Sequence, residues 1–204
     1  MIATDVVPAH RSICDEALDQ LFRKARTPNA WRPEPISDAV LREVWELARM
    51  GPTATNSTPA RILFLRSPEA KERLKPLLRP GNVEQTMAAP VTAVIGGDLD
   101  FVATLPRQFP HGDPVARYLG DEAKIERTAR LNATLQAAYF ILAARSLGLD
   151  CGPITGYDFA GVDRAFFPSG RIRSLLLCNI GHGDAAKLAP RLPRPTFDEV
   201  CSLL

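Results

Sequence analysis

Apolar residues recur at the spacing of an α-helix in several stretches of this chain. The longest stretch predicts a helix from about Glu122 to Leu147, which Gly148 ends. A shorter helix follows the capping residue Ser37 and ends at Gly51-Pro52. Further helices are expected over Asp15–Arg26, Glu69–Leu74, Asp158–Phe166 and, after a Thr196–Glu199 capping box, at the end of the chain. The predicted core face of the longest helix consists of Leu131, Leu135, Ala138, Tyr139 and Leu142.

Strand patterns are fewer than helix patterns. Short apolar runs predict strands at Arg61–Leu65, Pro90–Gly97 and Arg173–Ile180. Residues 1–14 follow no period and are expected to form an irregular extension of a single domain that spans 1–204. Because helices separate most of these strands, the chain is predicted to be an α+β protein with a central sheet wrapped by long helices.

Composition argues against two classes of binding partner, nucleic acid and anionic membrane. Among 204 residues, 46% are hydrophobic, and the net charge is only +2, so a real core is expected, but neither nucleic acid nor an anionic membrane is favoured as a partner. The apolar runs are too short to cross a bilayer, and the first residues lack a signal-peptide pattern. The four cysteines lack paired spacing and the histidines are isolated, which predicts free thiols, a cytoplasmic location and no metal site.

The stretch from Gly51 to Arg61 (GPTATNSTPAR) is the first candidate for chemistry. It places small hydroxyl and amide side chains between two prolines, with no ionisable group before Arg61. Such groups match the alternating donors and acceptors of a planar heterocycle such as a flavin. The same composition is typical of a solvated connection between a helix and a strand, so both interpretations stay open.

A second candidate is the glycine-rich segment 148–157 (GLDCGPITGY). Its glycines allow the backbone to approach a ligand closely, and the helix that follows offers unpaired N–H groups at its N-terminus. These features suit the negative charge of a reduced flavin. The alternative is a plain connection between two helices.

Basic residues form a third candidate. Arg26, Thr27 and Arg191 could clamp a phosphate, with Lys187 as a further cation, although each could equally be a solvated surface residue. His111 could donate a proton, and its alternative is a loop histidine without a role.

In their order along the chain, these segments resemble the FMN-dependent nitroreductase family. The resemblance extends from Leu18 to the C-terminus and includes Asn82–Gln85 before Ala89-Pro90. The whole pattern is most similar to one branch, the malonic semialdehyde reductases of pyrimidine degradation and their unassigned relatives. The stretches typical of that branch are 26–32, 57–61, 109–113 and 188–194.

The resemblance implies a mostly antiparallel sheet and two chains that interlock as a homodimer, with FMN in a groove at their interface. The residues that match the family's phosphate site are Arg26, Thr27 and Arg191, with Asn29 and Lys187 beside them. Those that match the ring-lining positions are Pro52, Thr53, Ala54 and Asn56, while Asn82 and Gln85 match positions at the polar edge of the ring. The backbone of Pro153, Ile154, Thr155 and Gly156 would approach flavin N5 from the other chain.

The chain departs from the family pattern in two respects. Asn29 and Ala189 stand where the family often has basic residues, which reduces the positive charge near the phosphate and flavin N1. The usual Gln-Pro-Trp ending of the first motif is Thr58-Pro59-Ala60 here. Losing the indole opens space beside the ring or lets Arg61 approach it.

The resemblance further implies an oxidoreductase in which NADH or NADPH reduces FMN and a second substrate then takes hydride from N5. For malonic semialdehyde, which would give 3-hydroxypropionate, Arg61 is the candidate for binding the carboxylate and His111 for delivering a proton. Two alternatives remain at this point: a broad reductase of nitroaromatics and quinones, and a non-catalytic FMN-binding protein.

Overall fold

A computed structural model describes residues 11–204. Most of the predicted irregular extension therefore lies outside the described residues, and within it Arg11–Cys14 form neither helix nor strand. In residues 11–204 there are eight α-helices: α1 (Asp15–Leu18), α2 (Asp38–Ala48), α3 (Pro68–Leu74), α4 (Pro80–Ala88), α5 (Leu105–Gln108), α6 (Glu122–Ser146), α7 (Phe159–Phe166) and α8 (Phe197–Val200). The strands are β1 (Ala60–Leu65), β2 (Val91–Asp98), β3 (Asp150–Ile154) and β4 (Ile172–Gly181).

The four strands form one sheet in the order β1-β2-β4-β3, and all three neighbouring pairs are antiparallel. Every residue of β2 is buried because helices cover both faces of the sheet. On one face Ala93 and Ile95 pack against α2 and α6, whereas on the other Val94 and Leu177 pack against α3 and α7. The predicted α+β architecture is confirmed.

The segment 148–157 corrects the prediction of a loop between two helices. Gly148 has a φ of 79° and ends α6, but Asp150–Ile154 then pairs with the end of β4 as strand β3. A strand with proline at its fourth position is unusual, and Pro153 is tolerated because β3 is an edge strand. Glycine and proline are uncommon in strands, so the composition of this segment did not predict one.

The core face predicted for α6 is confirmed at Tyr139, which packs against the core, but is wrong at Leu131, Leu135 and Ala138. Leu131 and Leu135 are 59% and 41% exposed, and the helix instead buries alanines, Phe140 and two amides against the sheet. The reason is close packing: a methyl group at Gly97 of β2 would lie 3.2 Å from the carbonyl oxygen of Ala129. Only small or specifically hydrogen-bonded side chains fit such an approach, so the leucines face outward.

Other differences concern the ends of elements. The first helix continues as a π-helical turn over Asp19–Arg23 and stops before Arg26. Helix α4 was not predicted, because Pro80-Gly81 at its start is typical of a turn. Proline is nevertheless well suited to the first helical position. The caps at Ser37 and Asp158 and the Thr196–Glu199 capping box are present. None of the helices in the described residues is both long and apolar enough to span a membrane.

A buried polar chain joins the two layers at α4. Lys71 of α3 is only 5% exposed, and its Nζ donates hydrogen bonds to the carbonyl oxygens of Thr86, at 2.8 Å, and Ala89, at the C-terminal end of α4. The Thr86 hydroxyl accepts from Asn179, whose Oδ1 accepts from Thr92. Among the described residues Lys71 forms no ion pair, and its burial lowers its pKa from 10.5 to about 8.

This burial predicts how stability depends on pH. Between pH 8 and 10.5 the unfolded chain holds a proton on Lys71 that the folded chain has released. The Lys71 contribution to the free energy of unfolding should therefore increase with pH across this window, by about 3 kcal/mol. Urea unfolding at several pH values should show that Lys71→Met loses this rise. The exposed Lys75→Met variant should keep it, and equal slopes for Lys71→Met and the wild type would contradict the assignment.

Candidate active site

The predicted phosphate residues meet where the C-terminal tail crosses the loop after α1. Arg26 donates to the carbonyl oxygen of Ala189, and Arg191 Nη2 donates to those of Arg23, at 2.9 Å, and Ala25, at 2.7 Å. Within residues 11–204 neither guanidinium pairs with a carboxylate. Both therefore keep further N–H donors and an uncompensated positive charge, which a phosphate group requires.

The other residues of this region differ in what they offer. Thr27 and Asn29 are exposed in the same loop, whereas Lys187 lies 3.8 Å from the carboxylate of Asp184 and is partly neutralised. Trp31 attaches the loop to the sheet, since it pairs with Gly183 and its indole donates to the carbonyl oxygen of Gln85 at 2.9 Å.

Asn82 and Gln85, predicted for the polar edge of a ring, lie one turn apart on α4. Asn82 Nδ2 donates to the carbonyl oxygen of Gly156 at 2.9 Å, and Gln85 Nε2 donates to Asn82 Oδ1 at 2.8 Å. A Cβ atom at Gly156 would collide with the Asn82 amide, so only glycine allows this contact. Gln85 Oε1 has no hydrogen-bond partner in the described part of the chain and can accept from a ligand.

The end of β3 lies beside this cluster. Ile154 is buried in the core beneath the sheet, while Pro153 and Thr155 are exposed. Of the residues predicted over 153–156, the structure brings Gly156 to α4, whereas the earlier Gly152 lies beside the loop that follows Arg26.

The first motif lies at the opposite edge of the sheet, in a 3₁₀ turn over Ala54–Asn56. Three of its residues have positive φ: Thr55 at 56°, Asn56 at 47° and Thr58 at 38°. This region is costly for β-branched residues and persists only where the surroundings enforce it. Pro52 is exposed just before the turn.

Two buried amides of α6 hold this loop at both ends. Asn132 Oδ1 accepts from the backbone N–H of Ala54 at 2.7 Å, and Gln136 Oε1 accepts from that of Ala60 at 2.8 Å. Inside the loop, Thr53 Oγ1 accepts from the N–H of Thr58. Sequence reasoning missed both amides. Their signal was present, since two amides four residues apart interrupt an apolar helix.

The two candidate catalytic residues differ in their surroundings. Arg61 forms an ion pair with Asp98 at 2.6 Å and donates to the carbonyl oxygens of Thr58 and Ala60. Its charge is therefore already compensated. His111 is exposed in the segment after α5, with its ring centroid 5.4 Å from that of Phe109.

The predicted ligand-binding residues thus form two groups in one chain. One group surrounds α4 and the end of β3, and the other precedes β1, with β2 and β4 between them. Three strand spacings separate these edges by about 14 Å. No hydrogen bond between described residues joins the two groups. The described residues also contain no group of three His, Cys, Asp or Glu side chains that could hold a metal ion.

Known proteins resemble this chain in both sequence and fold. Residues 22–182 match the model of the family described as the nitroreductase family. A protein of Burkholderia lata, named as a candidate NADH dehydrogenase/NAD(P)H nitroreductase, is 53% identical over 192 residues, which are 94% of this chain and 98% of the relative. A protein of Polynucleobacter asymbioticus with the same name is 50% identical and covers 93% of this chain and 97% of its own.

Solved structures share the fold at low identity. A nitroreductase candidate from Bacillus subtilis superposes with a TM-score of 0.84 at 21% identity, covering 93% of this chain and 99% of its own. A nitroreductase candidate from Exiguobacterium sibiricum, solved in complex with FMN, has a TM-score of 0.79 at 21% identity and covers 96% of this chain and 100% of its own.

The hydrogen bonds of α6 to the first motif lead to a prediction. Asn132→Leu leaves the Ala54 N–H without its acceptor and should lower the free energy of unfolding by about 1–2 kcal/mol. Hydrogen exchange over residues 53–60 should become faster, as measured by mass spectrometry. Glu126→Gln, at an exposed position near the start of the same helix, should change neither quantity. Unchanged exchange in Asn132→Leu would show that the loop holds its conformation without α6.

Proposed function

Because this chain belongs to the nitroreductase family, we propose that it is an FMN-dependent NAD(P)H oxidoreductase. The observation that carries the proposal is that one loop, 26–31, meets the tail of Arg191 at one end and bonds to α4, the helix of Gln85 and Asn82, at the other. This arrangement offers positive charge at one end and neutral amide groups at the other, which matches a phosphate linked to a polar ring.

The residues of this arrangement fit FMN by their chemistry. Arg26 and Arg191 would hold the phosphate, with Thr27 and Asn29 beside them, and Gln85 Oε1 is free to accept from a ring N–H. Gly156 accepts a hydrogen bond from Asn82, so the backbone at the end of β3 lies beside the amides that would meet the polar edge of the ring. When bound, FMN supplies the hydride transfer between NAD(P)H and the second substrate. The protein contributes position, hydrogen bonds and charge.

We further propose that the complete site forms between two copies of the chain. In one copy the strained loop Thr53–Asn56 lies at the far edge of the sheet from Asn82 and Gln85, so a second copy is needed to bring both to one ring. The outward-facing Leu131 and Leu135 of α6 give such a dimer an apolar surface. The exposed apolar tail residues also support it: Leu192, Phe197, Val200, Leu203 and Leu204.

For the oxidant we propose malonic semialdehyde, reduced to 3-hydroxypropionate. The aldehyde carbon gains a hydride and its oxygen gains a proton, while NAD(P)H becomes NAD(P)⁺. His111 is exposed and could deliver the proton. Arg61 could bind the carboxylate only by exchanging its bond to Asp98. The names of the relatives favour a second candidate, a reductase of nitro compounds, and kcat/KM for each oxidant separates the two.

An absorption spectrum tests the cofactor proposal. The purified protein, taken anaerobically, should show flavin bands that bleach on addition of NADPH. Arg26→Ala and Arg191→Ala should each raise the Kd for FMN by about tenfold or more, because each removes a charged phosphate ligand. Arg194→Ala removes a tail arginine whose hydrogen bonds to described residues go to its own neighbours, and it should leave the Kd unchanged. Absence of flavin, even after incubation with FMN, would refute the proposal.

The dimer has its own test. Leu131→Asp combined with Leu135→Asp places two charges in the proposed interface, and sedimentation velocity should show a shift from dimer to monomer with loss of bound FMN. Leu119→Asp, at a leucine that is also exposed, is the control and should stay dimeric. A wild-type protein that sediments as a monomer and still binds FMN would contradict the shared site.

A further inference from the structure

Gln108, the last residue of α5, forms hydrogen bonds with the strained loop of the first motif. Its carbonyl oxygen accepts from Asn56 Nδ2 at 2.8 Å, and its Nε2 donates to the hydroxyl of Thr58. Thr104 Oγ1 in turn donates to Gln108 Oε1 at 2.6 Å. These bonds place the end of α5, where the segment 109–117 begins, beside the loop proposed to line the cofactor.

An aromatic and cationic cluster begins at the next residue. The ring of Phe109 is half-buried and forms an edge-to-face pair with His111, with ring centroids 5.4 Å apart and an interplanar angle of 87°. The guanidinium of Arg117 lies over the same ring, 5.9 Å from its centroid. Stacking on an aromatic ring restricts the arginine side chain and leaves its N–H groups free in the plane.

The charge of Arg117 is available, in contrast to that of Arg61. Asp98 and two carbonyl oxygens already occupy Arg61. Arg117 pairs with no carboxylate in residues 11–204, and its side chain is exposed. Near the strained loop, the structure therefore offers an unpaired guanidinium on an aromatic support, a combination that suits a carboxylate.

We propose that Arg117, supported by Phe109 and His111, determines specificity by binding the carboxylate of an organic-acid oxidant. This inference rests on the proposed function and assigns the carboxylate contact to Arg117 in place of Arg61. It predicts that the enzyme prefers acidic oxidants to neutral ones of the same shape, because only the acid satisfies the guanidinium.

A matched pair of oxidants tests the inference with the FMN-loaded enzyme and NADPH. 4-Nitrobenzoate and its methyl ester share the nitroaromatic ring and differ in charge. Arg117→Ala should lower kcat/KM for the acid by about tenfold, mainly through KM, and that for the ester by less than about twofold. Arg117→Lys should restore part of the loss. Arg107→Ala removes an exposed cation that lies on α5, and it should leave the ratio of the two kcat/KM values unchanged.

Binding without turnover gives an independent readout. Titration calorimetry of benzoate into the oxidised holoenzyme should show binding that Arg117→Ala weakens about tenfold and Arg107→Ala does not. Equal effects of Arg117→Ala on acid and ester, no effect on either, or the same loss in Arg107→Ala would overturn the role of Arg117. If the wild-type protein binds no FMN or reduces neither oxidant, the proposed function itself has failed, whereas turnover of both oxidants without discrimination overturns this inference alone.

Discussion

The close approach of α6 to the sheet is the constraint on which the candidate site depends. Because Gly97 has no side chain, the backbone of α6 at Ala129 can lie close to β2. This approach brings Asn132 and Gln136 within hydrogen-bonding reach of the loop before β1. A buried amide oxygen without a donor would be destabilising, so the hydrogen bonds that these two oxygens accept from Ala54 and Ala60 also fix the loop. The positive φ values of that loop persist because α6 is held against the sheet and its amides fix the loop backbone.

A second buried polar chain serves the other half of the site. Lys71, Thr86, Asn179 and Thr92 connect α3, α4 and the two central strands, so the helix that carries Asn82 and Gln85 has a fixed position on the sheet. A buried lysine without a carboxylate is unusual, and here the carbonyl oxygens at the end of α4 supply the compensating negative charge. Both halves of the candidate site are thus positioned by polar groups buried on their core side.

The strand order relates these two halves to each other. Because β2 and β4 occupy the centre, the loop before β1 and the end of β3 fall at opposite edges. The leucines of α6 lie outside the core because alanines and amides fill the inner face of that helix, and several apolar residues of the tail are exposed as well. The proposed sharing of the site between two copies would account for both the separation of the polar groups and the exposure of the apolar ones.

The sequence by itself determined the helices with clear caps, three of the four strands, the α+β class and the segments that resemble the family. These features are local, because capping residues, β-branched runs and motif order are read within a few neighbouring positions. Only the tertiary structure decided that Asp150–Ile154 is an edge strand, that α6 turns its leucines outward, and that Arg61 is paired with Asp98. Each of these depends on partners distant in sequence: β4, the glycine of β2 and the end of β2. Periodicity along one segment does not contain that information, because an amphipathic helix with two possible inner faces is oriented by whatever packs against it.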